Sequence, residues 1–398
     1  MLSPTLTPDS PWRFPDALLD RCHQRAPVYD RENRFFSEDF EELRDAGYLK
    51  LALPAALGGA GLSLAGVCAA QRRLAYHAPA TALGLSMHLY WTGMAAELSQ
   101  AGDPTLRWLL EEVAAGEVLA SGHAEAGNDL PIVFSSARAE RQDGGYRLWG
   151  RKQFGSLSPV WTRLGLHALD ATIPDQPAII HAFLPRDTPG SRIEWTWDAL
   201  GMRATRSDDT VLDGAFIPDR YVARRLPAGT IDAEPFMLSL YAWPLLQFAA
   251  VYLGLAERAR DLAITSVRTK TSVALGGRRL AHHPEVQHRA AELTMTLDAM
   301  VAHLDVTLRD WTARVPHDLG WPAKIVATKY HCVQGAQRVV DLALDLSGGG
   351  GLFRQNELER LYRDVRCGAF HPANAAVTHE LVGKTALGVL GADGARWG

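Results

Sequence analysis

The sequence lacks the features that mark membrane, secreted or nucleic-acid-binding proteins. It has no uninterrupted apolar run of the roughly 18 residues that a membrane span needs. Its first 15 residues lack both the basic start and the apolar stretch of a secretion signal. Lys plus Arg number 41 against 45 Asp plus Glu, and the net charge of -4 gives no electrostatic reason to bind nucleic acid. We therefore expect neither a membrane nor a nucleic acid among the partners of this chain.

Cysteine is also scarce. The sequence has four, and no two of them form a CxxC pair: Cys22, Cys68, Cys332 and Cys367. This spacing argues against a zinc knuckle or a disulfide framework and suits a reducing compartment. We expect a cytoplasmic protein without a metal site.

Three parts of the 398-residue chain differ in their sequence pattern. Residues 1–118 contain stretches rich in Ala and Leu at spacings of three and four, which predict helices. Residues 119–228 consist of short β-prone runs between Gly, Pro, Asp and Ser, which indicates an antiparallel sheet or a small barrel. Residues 229–398 return to long amphipathic stretches that predict a helix bundle. Its predicted helices cover residues 234–269, 283–313, 321–346 and 372–390. The pattern therefore predicts an α+β protein of three domains with these bounds.

Five segments then carry a resemblance to the acyl-CoA dehydrogenase superfamily that runs nearly end to end. They are residues 53–63, 121–131, 150–161, 200–218 and 347–366. A single Gly-rich loop would be weak, but five segments in the right order agree with the helix–sheet–helix pattern. The resemblance implies the acyl-CoA dehydrogenase fold, with an N-terminal helical domain, a middle antiparallel β-barrel and a C-terminal four-helix bundle. It also implies a flavin cofactor, FAD or FMN, and a homotetramer.

The resemblance places the flavin diphosphate against the loop that contains Gly122, Gly127 and Asn128. A diphosphate needs backbone N–H groups at close approach, and glycine permits that approach. The alternative is an ordinary loop turn.

The ring of the flavin would lie beside Phe154, Ser156 and Trp161. Ser156 stands where the family usually has a Thr next to flavin N5, and its hydroxyl can donate or accept a hydrogen bond. The two aromatic side chains would pack near the ring. The alternatives are a solvated turn serine and two core aromatics.

The adenine end of the flavin would meet Arg268 and the glycines Gly348 and Gly349. In the family such an arginine reaches the diphosphate of a neighbouring subunit, and a guanidinium suits phosphate. The register is open here, because the segment after Arg268 departs from the family pattern. Two other arginines compete for the role: Arg278 and Arg279.

The acid that a dehydrogenase of this family uses as its base is absent. Such a carboxylate removes the proton next to a thioester. The resemblance places it at Pro372 or near Pro244, and proline cannot act as a base. His371 precedes Pro372, and this segment resembles the branch of two-component flavin monooxygenases. Members of that branch take reduced flavin from a separate reductase and use O2 on a small molecule.

We therefore predict a flavin-dependent monooxygenase with His371, His88 and Ser156 as catalytic residues. A histidine near the ring can hydrogen-bond or move a proton at neutral pH. His88 has the alternative of a buried histidine bonded to a backbone carbonyl, and His371 that of a helix N-terminal residue. Two other functions stay open. One is an FAD-dependent acyl-CoA dehydrogenase with a non-standard base and an electron-transfer partner, and the other is a non-catalytic flavin-binding scaffold.

Overall fold

The computed structural model describes residues 14–130, 132–173, 175–229 and 234–390. The first part of the chain is helical, as predicted. Its helices are α1 (Asp16–Glu32), α2 (Ser37–Asp45), α3 (Leu64–His77), α4 (Pro79–Gln100) and α5 (Arg107–Ala114). Ser63 caps α3, because its hydroxyl accepts the N–H of Gly66. Helix α4 is buried on nearly every side, since apolar residues surround it and later elements cover it.

Eight strands follow, and they form a mixed sheet. They are β1 (Leu119–Gly122), β2 (Arg138–Gln142), β3 (Gly145–Gly155), β4 (Arg163–Asp170), β5 (Ala178–Pro185), β6 (Ser191–Glu194), β7 (Asp208–Pro218) and β8 (Val222–Pro227). Their order is β6-β7-β3-β2-β4-β5-β8, with β1 beside β4. Both β1 and β2 run parallel to β4, which corrects the prediction of a wholly antiparallel sheet. The path of paired strands does not close among the described residues, so the predicted barrel is not confirmed.

The two strands that run parallel to β4, β1 and β2, share one edge of it. Strand β1 lies along the first half of β4 and β2 lies along its end, because Leu119 pairs with Arg163 and Arg138 with Leu169. Strand β5 occupies the other edge of β4 over its full length. Residues 123–137 therefore leave the edge of β4 as a loop and rejoin it further along. This loop contains most of the segment for which the resemblance implied diphosphate binding.

The last part of the chain is again helical. Its helices are α6 (Pro235–Thr269), α7 (Pro284–Thr312), α8 (Gly320–Ser347), α9 (Glu357–Cys367) and α10 (Ala375–Leu387). The first three agree with their predicted bounds to within a residue. Helix α10 begins later than predicted, because Asn374 caps it by accepting the N–H of Val377. Helices α6, α7 and α8 pack together and α10 packs on α8, while the four-helix bundle and the three-domain division stay predictions.

Helix α6 bears on the expectation about membranes, because it is both long and apolar. An 18-residue window within Pro235–Thr269 has a mean hydropathy of 1.5, so by length and composition this helix could cross a membrane. Polar residues such as Ser239 and Gln247 interrupt this stretch, so it is not an uninterrupted apolar run in the sequence. In the structure 83% of that window is buried inside the protein, and the core helix of a soluble protein passes the same test.

The contact between α4 and α6 depends on Gly93. A Cβ at this position would lie 1.9 Å from Cζ3 of Trp243, which itself is buried. Gly93→Ala should therefore force the helices apart and lower the free energy of unfolding by about 1–3 kcal/mol or more. Chemical denaturation measures the change.

Gly383→Ala is the matched control, since Gly383 lies in α10 and a Cβ there meets nothing within 4 Å. Alanine is the better helix former by about 0.5–1 kcal/mol, so this variant should be unchanged or slightly more stable. Equal behaviour of the two variants would show that the close approach at Gly93 does not matter.

Candidate active site

Ser156 begins a chain of three buried hydroxyl groups. Its Oγ lies 2.7 Å from Oγ of Ser207, which lies 2.7 Å from Oγ1 of Thr205. The Thr205 hydroxyl donates to the carbonyl of Met202 at 2.9 Å. Each hydroxyl has one hydrogen, so Ser207 must donate to Thr205 and Ser156 must donate to Ser207. Ser156 is thereby left with lone pairs, and towards a ligand it acts as a hydrogen-bond acceptor.

The aromatic residues predicted beside the ring have different environments. Phe154 has a φ of 55° and its side chain is 59% exposed, with its ring edge-on to that of Trp197. Trp161 is buried under the guanidinium of Arg186, which lies 4.9 Å from the ring centre. The indole N–H of Trp161 has no partner in the described part of the chain. Phe154 thus presents an aromatic face to solvent or a ligand, while Trp161 supports the site from within.

The loop of residues 123–137 is tied to β3 beside these aromatics. Ala124 forms a bridge with Gln153, the residue before Phe154, through an N–H to O bond of 2.9 Å. Gly127 has a φ of 72°, which favours glycine. Gly122 lies in β1 against Leu164. The structure therefore brings the diphosphate loop and the ring segment of the sequence prediction together.

The side chain of Asn128 is bound within its own loop. Its amide donates to the carboxylate of Glu125 at 2.8 Å and to the carbonyl of Phe134 at 2.9 Å. Its Oδ1 accepts the N–H of Leu130 at 3.0 Å. All these bonds hold the loop in shape, so a contact with phosphate would have to come from backbone atoms.

Glu125 and Lys152 form a fully buried ion pair under this loop, which sequence reasoning missed. The Glu125 carboxylate also accepts from the Ser135 hydroxyl and from the N–H groups of Ser136 and Ala137. Burial acts to raise the pKa of Glu125, but Lys152 and these donors outweigh it and hold that pKa well below its usual range. The pair fixes the loop to the sheet.

His371, the second predicted part of the site, lies between α9 and α10. Its Nε2 is 2.8 Å from the hydroxyl of Tyr252 on α6, and its ring stacks on Phe248 at 4.8 Å. Burial and the charge of Lys329 lower the pKa of His371 to about 3. The ring is therefore neutral at physiological pH.

Lys329 on α8 holds the backbone around His371. Its ammonium donates to the carbonyls of Gly368, His371 and Ala373 at 3.1, 2.9 and 3.0 Å. The side chain is buried, and the described residues around it supply no carboxylate partner. Neither Lys329 nor Tyr252 was a sequence candidate, because a lysine or tyrosine on an apolar helix carries no motif.

A turn links the two sides of the site. Asp364 on α9 accepts the N–H of Met202 at 2.5 Å, and Arg363 donates to the carbonyl of Leu200 at 3.1 Å. Met202 accepts in turn from Thr205, at the end of the hydroxyl chain. Helix α9 therefore anchors the turn that orients Ser156, and the chain reaches His371 shortly after the helix ends at Cys367. No hydrogen bond joins His371 to Ser156 directly among the described residues.

His88 does not fit its predicted catalytic role. Its Nε2 bonds to the carbonyl of Leu49 at 2.8 Å, and its Nδ1 accepts the N–H of Leu119 at 3.1 Å. Both ring nitrogens are therefore occupied by backbone, and burial lowers the pKa of His88 to about 4. The structure favours the alternative interpretation, in which His88 joins α4 to β1.

No carboxylate stands at either expected base position. Pro244 lies inside α6 and Pro372 follows His371. Glu234, an acid upstream of Pro244 in the sequence, caps α6 by accepting the N–H of Met237 at 3.1 Å and lies 3.6 Å from Arg224. It is a structural residue of the helix start.

Arg268 and the Gly-rich turn form a separate patch at the far end of α6. Lys270 donates to the carbonyl of Ser347 at 2.7 Å, which joins this end of α6 to Gly348 and Gly349. Arg268 is exposed and has no ion pair with the described residues. No described contact links this patch to the loop of Asn128. Its role at the adenine end of a flavin stays a prediction.

Comparison with known proteins identifies the family. Residues 16–117 match the N-terminal domain and residues 246–375 the C-terminal domain of acyl-CoA dehydrogenases, together more than half of the chain. The acyl-CoA dehydrogenase homologue YdbM of Bacillus subtilis is 33% identical over 92% of this chain and 93% of its own length. The chain belongs to the acyl-CoA dehydrogenase family.

Other members of the acyl-CoA dehydrogenase family carry different activities in their names. Amino sugar nitrososynthase DnmZ of Streptomyces peucetius is 31% identical over 93% of this chain and 93% of DnmZ. The solved structure of KijD3 with FMN and dTDP-3-amino-2,3,6-trideoxy-4-keto-3-methyl-D-glucose has a TM-score of 0.83 at 26% identity. That alignment covers 94% of this chain and 92% of KijD3. The acyl-CoA dehydrogenase fold predicted from the sequence is thus confirmed. It consists of an N-terminal helical part, a middle mixed sheet and a C-terminal helical part.

Replacing Lys152 by Met would leave the Glu125 carboxylate buried without its cation. Removal of one partner of a buried ion pair costs about 3–5 kcal/mol, so the free energy of unfolding should fall by that amount. Denaturant titration measures it.

The control for this variant is Arg289→Ala, which breaks the exposed i,i+4 pair of Arg289 with Glu285. That change should cost less than about 1 kcal/mol. If Lys152→Met costs no more than the control, Glu125 and Lys152 do not hold the loop as described.

Lys329 should make stability depend on pH. Burial lowers its pKa from 10.5 to about 7. Between these two values the unfolded chain binds more protons than the folded one, so the contribution of Lys329 to stability rises with pH across that window. The difference in unfolding free energy between the wild type and Lys329→Met should therefore grow from neutral to alkaline pH.

Denaturant titrations over a pH series measure this difference. Lys324→Met is the control, because Lys324 lies on the same helix but pairs with Asp310 at 3.2 Å. The unfolding free energy of the wild type minus that of Lys329→Met could instead stay flat or shrink as the pH rises. That result would show that burial does not destabilise the ammonium.

Proposed function

We propose that the protein is a flavin-dependent monooxygenase that receives reduced flavin from a separate reductase and uses O2 on a small molecule. One observation carries the proposal: neither base position of a dehydrogenase holds an acid, and the neutral His371 stands beside one of them. Proton removal from an acyl thioester needs a base, and this site offers none at that position.

The residues of the site fit a flavin. Phe154 offers an exposed aromatic face, and the Gly127 loop lies beside it through the bridge of Ala124 and Gln153. Ser156 acts as an acceptor towards a ligand, because its own hydrogen is committed to Ser207. Flavin N5 carries a hydrogen in the reduced form, so this polarity supports a site for reduced flavin. When bound, the flavin supplies the electrons with which O2 is activated.

The cofactor is FMN or FAD. KijD3, which resembles this chain over nearly its whole length, was solved with FMN. The adenine end is where the fit to FAD is least defined, since Arg268 and Gly348 would have to serve the flavin of a neighbouring subunit. A homotetramer, as the family resemblance implies, would allow this. The four free cysteines suit a reducing cytoplasm.

The substrate we propose is a small polar molecule with an oxidisable nitrogen. DnmZ is named for amino sugars, and KijD3 was solved with an amino sugar nucleotide. Gln247 supports a polar substrate: it is fully buried on α6, and both its amide atoms lack partners in the described part of the chain. It directly precedes Phe248, on which His371 stacks. A buried amide that hydrogen-bonds the correct substrate stays unpaired when a molecule without the matching polar group binds. Such a site therefore discriminates strongly against that molecule.

A dehydrogenase is the second candidate function. The 33% identity to YdbM, which is named as an acyl-CoA dehydrogenase, favours it. It would need a base outside both family positions and an electron-transfer partner in place of O2. A scaffold that binds flavin without catalysis would explain the fold but not the ordered polarity at Ser156.

The decisive measurement is oxygen incorporation. Purified protein with FMN or FAD, an NADH-dependent flavin reductase and isotope-labelled O2 should transfer labelled oxygen to an amine from a panel of amino sugars and small amines. Omission of the reductase should abolish the product. His371→Ala should lower product formed per reduced flavin by about 10²-fold or more, the usual scale for such a group.

His379→Ala is the control for this variant, since His379 is exposed and bonds to its own helix at Ala375. Its activity should match the wild type. A yellow protein that acyl-CoA bleaches without O2, and that incorporates no labelled oxygen, would establish the dehydrogenase instead. Failure to bind any flavin in a titration would leave the scaffold.

A further inference from the structure

Tyr252 and His371 form a pair that joins α6 to the segment between α9 and α10. The Tyr252 hydroxyl lies 2.8 Å from Nε2 of His371, although the two residues are 119 positions apart. Phe248, one turn earlier on α6, stacks on the same imidazole with an angle of 25° between the rings. The orientation of the His371 ring is thus fixed by α6 on two sides.

The direction of this hydrogen bond follows from a count of donors. A phenol has one hydrogen, and His371 Nε2 is the only acceptor that the described residues offer it. Burial raises the pKa of Tyr252 well above its usual value, so the phenol keeps that hydrogen. If Nε2 carried the imidazole proton, the buried hydroxyl would have no acceptor, and leaving a buried donor unpaired is costly. Tyr252 therefore donates and Nε2 accepts.

A doubly protonated ring is disfavoured as well. The Lys329 ammonium bonds to the carbonyl of His371 itself at 2.9 Å and opposes a second positive charge there. Tyr252 is faced in addition by Asp364 of α9, whose negative charge favours the protonated phenol, and by the Cys367 thiol, whose pKa burial raises. The remaining state has one imidazole proton, on Nδ1.

We propose that Tyr252 is a positioning residue that fixes the tautomer of His371, so that the imidazole presents an Nδ1–H donor and no basic nitrogen to the ligand. His371 Nδ1 has no hydrogen bond with the described residues, and the side chain is partly exposed. A fixed N–H stabilises an oxygen atom that gains negative charge. Proton removal from a substrate would require an unprotonated nitrogen, and the one present is taken by Tyr252.

The inference deepens the proposed function, because oxygen activation calls for a donor where dehydrogenation calls for a base. It rests on the proposed function only for the identity of the ligand. The tautomer is a property of the protein without flavin or substrate, so it can be tested on its own.

Nitrogen NMR of protein labelled at the histidine rings reports which nitrogen is protonated, and His371→Ala assigns the signals. The wild type should show a protonated Nδ1 and an unprotonated, hydrogen-bonded Nε2. Tyr252→Phe should lose this single pattern as the proton moves in part to Nε2. Tyr241 is another tyrosine of α6; it is partly buried and has no described contact with His371. Tyr241→Phe should therefore keep the wild-type pattern.

A wild-type proton on Nε2, or an unchanged pattern in Tyr252→Phe, would overturn the inference. Turnover adds a second readout: Tyr252→Phe should form several-fold less product per reduced flavin and release more hydrogen peroxide, with an unchanged KM for substrate. The expected tautomer without any oxygen transfer would refute the proposed function alone. Oxygen transfer with the opposite tautomer would refute the tautomer inference alone.

Discussion

The candidate site depends on the buried Lys329, for which the described part of the chain supplies no carboxylate partner. Lys329 reaches from α8 to three carbonyls of the segment that connects α9 and α10, and so fixes the backbone on which His371 stands. A buried ammonium is expensive to desolvate, and three carbonyl acceptors satisfy its hydrogens without neutralising its charge. That positive charge helps keep His371 neutral. The contact therefore fixes the place of the histidine and adds to burial, the larger cause of its lowered pKa.

Around Ser156, the direction of hydrogen bonds, and not a charge, decides which groups donate and which accept. The carbonyl of Met202 sets the direction of the hydroxyl chain, and every hydroxyl before it must donate towards it. Ser156 ends as an acceptor while His371 ends as a donor. The two sides are connected through α9, because Asp364 holds the turn of Met202 and the end of the helix leads to His371. The flavin loop is held by its own buried pair, Glu125 and Lys152.

This arrangement shows how one fold serves different oxidations. The scaffold brings the loop of Gly127 beside β3, and α9 joins the turn of Met202 to the segment that leads to His371. Pro244 takes one of the two base positions that the resemblance implies, so proton removal would depend on the side chain at the other position, after α9. Here that position is Pro372, and its neighbour His371 has its only unprotonated nitrogen occupied by Tyr252. The chain thus keeps the scaffold of a dehydrogenase while its polar groups support oxygen chemistry.

The sequence by itself determined the order of helical and sheet parts, the bounds of α6, α7 and α8, and the absence of an acid at Pro244 and Pro372. These features are local: helix periodicity, turn residues and side-chain identity are readable within a few residues. The resemblance further predicted that the segments of Gly127 and Ser156 would meet, as they do through Ala124 and Gln153.

Only the tertiary structure decided what the histidines do. His88 and His371 are equivalent in a sequence, yet backbone groups of Leu49 and Leu119 occupy both nitrogens of His88. His371 keeps one nitrogen free because Tyr252, 119 positions away, takes only the other. The parallel course of β1 and β2 along β4 likewise arises from pairing between distant segments. Hydrogen-bond partners and charge environments depend on contacts between residues far apart in the chain, and no local pattern encodes them.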